Sequence, residues 1–178
     1  HSDTVSHEDA VVLRNLAEWQ VCESASPRNR EKIAAWYAHD VGTAGQRPMI
    51  LVELRDWDGD HGPIRDRDLR CVSPRGRALE YRLRMLRHHI GVLGDDHVAP
   101  GFIPYHPRVG RTGFGLPSGQ HRESGADRYA FNYAEVPLKT LDEAELARLR
   151  SSRTIIDREA AERDRQALAR VFGDILPI

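Results

Sequence analysis

Three histidines and two arginines fall within one glycine-rich stretch, from His97 to His121. His97, His106 and His121 are spread along it. Arg108 and Arg111 precede a second glycine cluster, and Gly110, Gly113 and Gly115 lie among them. Imidazoles exchange protons near neutral pH. Guanidinium groups grip carboxylates or phosphates with paired hydrogen bonds, and glycine lets a backbone come close to a ligand. Together these residues describe an anion-binding wall for a carboxylated substrate. His106 is the candidate proton-transfer group, and His97, Arg108, Arg111, Gly113 and Gly115 are the candidate substrate contacts. The competing reading is an ordered structural loop whose glycines only permit turns. The spacing is neither a P-loop nor GxGxxG, which gives little support for nucleotide binding.

Other chemistry-bearing residues carry less. Asp56, Asp58 and Asp60 alternate like the start of a calcium loop. Counted from Asp56, the required Gly and Glu positions hold His61 and Arg67, so a solvated turn is expected instead. His39, His88 and His89 have no second ligand at a helical offset on the same face, and no metal is assigned. Asp95-Asp96 reads as a turn rather than an acid/base pair. No GxSxG, HExxH or Cys-His nucleophile pattern occurs. Cys22 and Cys71 lie far apart and outside any CxxC pair, as expected for reduced thiols.

The elements that must position these residues follow from periodicity and caps. A first helix is expected over about His7–Val21, with Ser6 as N-cap, Glu8-Asp9 in the first turn, and Val12, Leu16 and Trp19 recurring at helical spacing. Ser26-Pro27 opens a second helix with Ile33, Trp36 and Tyr37 on one face, ending near Val41-Gly42. Pro48 to Leu54 is a short apolar run that reads as a covered strand, followed by a surface loop to Ser73. The third helix, about Pro74–Leu93, carries the apolar stripe Leu79, Leu83, Leu86, Ile90 and Leu93. Arg75, Arg77, Arg82, Arg84 and Arg87 fill its remaining faces, as a solvated surface or, alternatively, an anion site.

Residues 94–137 are irregular, with short strands expected at Val98, Phe102-Ile103 and Tyr129–Tyr133. Such segments are usually functional or mobile. A short helix over Leu141–Leu149 capped by Thr140, a final helix over Asp157–Phe172 stopped by Gly173, and a strand opening at Asp174–Ile178 complete the chain. The fold class is α+β. Residues 1–6 read as a leader outside the fold, and residues 7–178 as a single domain or fragment.

The chain has 178 residues, 40% hydrophobic and 30% charged, which suits one globular domain with a real core. A net charge of −1 and a pI near 6.8 argue against a generally basic nucleic-acid surface. No apolar run reaches the ~18 residues of a membrane helix, and no signal-peptide core opens the chain. A cytoplasmic protein with no nucleic-acid or membrane partner is the expectation.

Four stretches in order resemble one family. They are Leu79–Arg84 leading to His88-His89-Ile90-Gly91; Gly94–Pro100 followed by Arg111-Thr112-Gly113-Phe114-Gly115; Val136–Asp142; and Phe172–Ile178. Their order and spacing resemble the region that precedes the barrel in bacterial uroporphyrinogen decarboxylase-like proteins of unassigned activity, over roughly residues 27–178. The resemblance implies the amino-terminal part of a (β/α)8 barrel protein. Residues 174–178 would enter the barrel, whose later part would lie beyond this chain.

It also implies a lyase or a methyltransferase acting on a small carboxylated or methylated compound, with a corrinoid-carrying partner in the methyl-transfer case and no other cofactor evident. A homodimer is the expected oligomer. Phe172–Leu176 resembles the decarboxylase aspartate segment, which makes Asp174 a second candidate catalytic residue. The arginine motif of those decarboxylases has no counterpart here. Neither cysteine has a histidine at the spacing of the methyltransferase zinc site. The alternative is a non-catalytic α+β module that binds a ligand or partner through Trp57 and the loop aromatics.

Overall fold

A computed structural model describes residues 5–53, 62–105, 109–115, 120–121, 132–133 and 142–178, with backbone only at 120–121 and 132–133. The fold is α+β and helix-rich. Its only sheets among the described residues are two antiparallel pairs of short strands. The chain divides into two compact units, one formed by His1–Tyr105 with Glu162–Ile178, the other by His106–Ala161.

In the first unit, α1 (His7–Ser24) begins where the Ser6 hydroxyl accepts the Asp9 amide. Val5 packs partly buried on the core. Residues 5 and 6 therefore belong to the fold rather than to a leader. The buried face of α1 is Leu13, Leu16, Ala17 and Gln20, one position round from the expected Val12–Leu16–Trp19 stripe. Val12 and Trp19 are half-buried.

Helix α2 (Pro27–Asp40) starts with Ser26 as cap and Pro27 in its first turn. Of its expected apolar face only Trp36 turns inward; Tyr37 is 71% exposed and Ile33 sits at the surface. The face that faces inward is polar and is made by Asn29, Lys32 and Trp36. Helix α3 (Pro74–His88) is capped by Ser73 and packs on α1 through Leu83. A π-helical turn (His89–Leu93) extends it and closes on Gly94 in the left-handed conformation, whose amide bonds His89 O.

Two buried carboxylates lock α1, α3 and the segment before α3 together. Asp9 accepts from the amides of Val72 and Ser73 and from the Ser73 hydroxyl. Glu80 accepts from the amides of Arg70 and Cys71 and from Arg84 Nε. Gly76 is required at this junction, because a Cβ there would lie 2.5 Å from an Asp9 oxygen. Helix α5 (Arg158–Phe172) brings Leu168, Val171 and the fully buried Phe172 into the same core as Leu13, Leu16 and Leu83.

None of the four strands expected in this unit forms among its described residues. Residues 48–53 are extended without a strand partner. The Ile50 amide donates to the Asp96 carboxylate and the Val52 amide to the Asp95 carboxylate. Side-chain oxygens take the donors that a sheet ladder would have used, and Ile50 and Leu51 stay exposed. Leu54 lies outside the described residues. Residues 174–178 form a turn and an irregular end. Leu176 is buried, and Pro177 O accepts the Ile103 amide at 2.8 Å. Neither Val98 nor Phe102-Ile103 forms a strand.

In the second unit, β1 (Val109–Arg111) pairs with β4 (Thr154–Ile156), and β2 (Gln120–His121) pairs with β3 (Asn132–Tyr133). Between them lies α4 (Glu143–Leu146), shorter than expected and capped by Asp142 rather than Thr140, which is outside the described residues. The 129–131 part of the expected Tyr129–Tyr133 strand also lies outside them. No helix among the described residues is long and apolar enough to cross a membrane.

Candidate functional site

Asp95 sits at the centre of the best-built polar cluster, just after the π-turn. Its Oδ2 receives His97 Nδ1 at 2.8 Å, His89 Nδ1 at 3.1 Å and the Val52 amide at 3.1 Å. Its Oδ1 receives the His97 amide. The two imidazole rings stack 4.0 Å apart at 31°. Burial pushes the Asp95 carboxyl up, but the amides of Val52 and His97 and the two imidazoles outweigh it and hold the group at about 2. An ionised carboxylate only accepts, so each Nδ1 must be the donor. A neutral ring in that tautomer carries its lone pair on Nε2. Among the described residues neither Nε2 has a hydrogen-bond partner.

The segment carrying His97 is fastened by side chains from α1 and α2. Lys32 Nζ donates to the carbonyls of Asp95 and His97. Trp36 Nε1 donates to Asp96 O. The Asn29 side chain bonds both the amide and the carbonyl of Ala99. Gln20 Nε2 reaches the carbonyls of Pro100 and Phe102. Asp96 itself pairs with Arg47 at 2.7 and 2.5 Å. Arg47 is the first cause holding the Asp96 carboxyl at about 2, over the opposing effect of burial. A loop with no sheet partner thus has its backbone polar groups met one by one by side chains.

His89 and His97 form part of the wall of a cavity of about 460 Å³. The rest of the wall is mostly apolar: Leu79, Leu83, Met85 and Leu86 from α3, with Pro100, Ile103, Pro104 and Phe172. Arg82 stands at its edge, exposed, with no ion pair among the described residues. The other helix arginines are engaged within the chain. Arg75 bonds Asp164, Arg77 bonds Asp66 O and Cys71 O, Arg84 bonds Glu80, and Arg87 lies over Trp19. An apolar cavity with a few convergent polar groups is the usual form of a small-molecule site.

The residues singled out in the sequence are distributed as follows. His97 is in the cluster. His106 and Arg108 lie outside the described residues, and only the backbone of His121 is described. Arg111, Gly113 and Gly115 belong to the second unit, where Arg111 pairs through its backbone with Thr154. Gly115 adopts φ +84°, and a Cβ there would meet Arg150 at 2.8 Å, so its glycine is needed by this chain's own fold. Asp174 is exposed and held by Arg14 through two bonds of 2.7 Å. Arg14 is the main cause keeping that carboxyl at about 2. Asp174 does not line the cavity.

His89 and Asp95 are site residues that the sequence reading set aside, and Arg82 is one that it placed only in the alternative anion site of the third helix. The run His88-His89-Ile90-Gly91-Val92-Leu93-Gly94-Asp95-Asp96-His97 held the signal. Its pairing needs a π-turn and a reversal after Gly94, so helical offsets alone do not reveal it.

The fold and site define a helix-rich α+β protein with a carboxylate-anchored histidine pair on the wall of a largely apolar cavity. No family model, curated protein or solved structure matches the chain.

Proposed function

We propose that the chain is the amino-terminal region of a uroporphyrinogen decarboxylase-like enzyme, and that its cavity takes a small carboxylated or methylated compound for decarboxylation or methyl transfer. The observation that carries this reading is the pair His89 and His97, oriented by one ionised carboxylate, on the wall of an apolar cavity edged by Arg82. Arg82 supplies the guanidinium for a substrate carboxylate. The apolar wall suits the organic body of the ligand. In its protonated form His97 offers Nε2–H to carbon. When the C–COO⁻ bond breaks and CO₂ leaves, the electron pair stays on that carbon and takes this proton. Methyl transfer would draw its methyl group from a separate donor such as a corrinoid-bearing partner.

The test is binding and turnover with a panel of small carboxylates and carboxylated tetrapyrroles. Saturation-transfer NMR on the wild-type chain and the R82A and H97A variants should show a bound carboxylate released at least ~10-fold more readily from each variant, consistent with loss of a charge-assisted contact. Labelled CO₂ released from the bound compound supports the lyase reading. Binding with no CO₂ release and no methyl transfer would favour a non-catalytic ligand-binding module, and binding indifferent to both variants would defeat the proposed site.

A further inference from the structure

The geometry points to a divalent transition-metal site formed by His89 Nδ1, His97 Nδ1 and Asp95 Oδ2. Three donor atoms of ligating type converge within 4.8 Å of one another, and the two imidazole nitrogens lie only 3.1 and 2.8 Å from the same carboxylate oxygen. Metal–ligand bonds of ~2.0–2.1 Å in a tetrahedron set its donors about 3.3 Å apart, which the two separations from Asp95 Oδ2, 3.1 and 2.8 Å, already approach.

Asp95 Oδ2 meets three donors at once, while Oδ1 receives only the His97 amide. That concentrates two ring protons where a cation would be better placed. Neutral rings ligate without net proton loss, each moving its proton from Nδ1 to the free Nε2. Two imidazoles and one carboxylate suit Zn²⁺, Fe²⁺ or Co²⁺, and three protein donors leave open positions for water or substrate.

The site is already assembled. The π-turn sets His89, the amides of Val52 and His97 fix Asp95, and Lys32 ties down the carbonyls of Asp95 and His97. Among the described residues Lys32 is the cation bonded to the carbonyls of Asp95 and His97, and it does not sit on the donor atoms. The inference rests on these three donors and stands independently of any carboxylate substrate.

The chelator-stripped, tag-free chain should be titrated with Co²⁺, followed by visible absorption and by competition with a chelator of known affinity. One equivalent should bind, with d–d bands of mixed nitrogen and oxygen ligation, and Zn²⁺ should displace it. His89→Ala, Asp95→Asn and His97→Ala should each weaken binding beyond the ~10–100-fold loss usual for an outer-shell partner. R82A and the surface variant His39→Ala should bind as wild type. Because Asp95→Asn also removes a structural anchor, circular dichroism checks its fold, and half-exposed His97 provides the variant least able to unfold the chain. Absence of stoichiometric binding, or binding that the folded H97A variant retains, would overturn the site. Loss of carboxylate binding in R82A with Co²⁺ binding intact would separate the two proposals.

Discussion

At the residue scale, Asp95 does two jobs with one charge. It orients both imidazoles and replaces a sheet partner for the Val52 amide. Asparagine is isosteric but presents NH₂ on one side, so Asp95→Asn cannot accept all four donors. We expect it to cost about 2–3 kcal/mol, the range for unpairing a buried charged hydrogen-bond acceptor, measured by urea denaturation. The variant should also move His97 toward the Nε2–H tautomer, read from imidazole nitrogen shifts.

The two thiols make a second contrast. Burial first, and then the charges of Glu80 and Asp9, push the Cys71 thiol up to about 12, whereas Cys22 is exposed. Iodoacetamide should label Cys22 in the native protein and Cys71 only on unfolding. Fast native labelling of Cys71 would refute the buried environment assigned to it.

At the element scale, the 95–103 segment is positioned by polar side chains rather than by strands. Gln20→Ala leaves the carbonyls of Pro100 and Phe102 without their donor and should cost about 2–3 kcal/mol. It should also loosen His97, visible as faster amide exchange across 97–103. Gly76→Ala tests the α1–α3 junction. Its methyl must displace the buried Asp9 carboxylate, and about 1–3 kcal/mol of destabilisation is expected from overpacking.

These two elements also explain what was legible in the sequence. Local signals located the four long helices: the caps Ser6 and Ser26-Pro27 for α1 and α2, the apolar stripe for α3 and the Gly173 stop for α5. Residues 48–53 do not form a strand, because the carboxylates of Asp95 and Asp96, more than forty residues away, accept the amides of Val52 and Ile50. The face of α2 was read correctly at Trp36 but not at Asn29 and Lys32, whose inward groups make hydrogen bonds, and hydrophobic periodicity does not register that. His97 was legible as a site residue. Its partners His89 and Asp95 were not, since a π-turn brings them together.

At the scale of the whole molecule, buried or paired carboxylates concentrate on the first unit: Asp9, Glu80, Asp95, Asp96 and Asp174 are all held below their ordinary values. A folded-state value below the unfolded one means the stabilisation is complete above the unfolded value and is lost as pH falls. For Asp95 and Asp96 that window runs from 3.8 down to about 2. The melting temperature should therefore be flat above about pH 5 and fall steeply below about pH 4. Asp96→Asn should be less stable than wild type at neutral pH and should flatten part of the acid slope.

The central claim is that His89 and His97 donate from Nδ1 to Asp95 and that both rings line the cavity proposed to take a ligand. Nitrogen-detected imidazole spectra of the chelator-treated protein, recorded while a bound small carboxylate is titrated in, test it directly. The account predicts protonated Nδ1 on both rings, with their Nε2 signals moving together as ligand is added while the other histidines stay still. Unprotonated Nδ1 on either ring, or a ligand that binds without moving these two Nε2 signals, would contradict it.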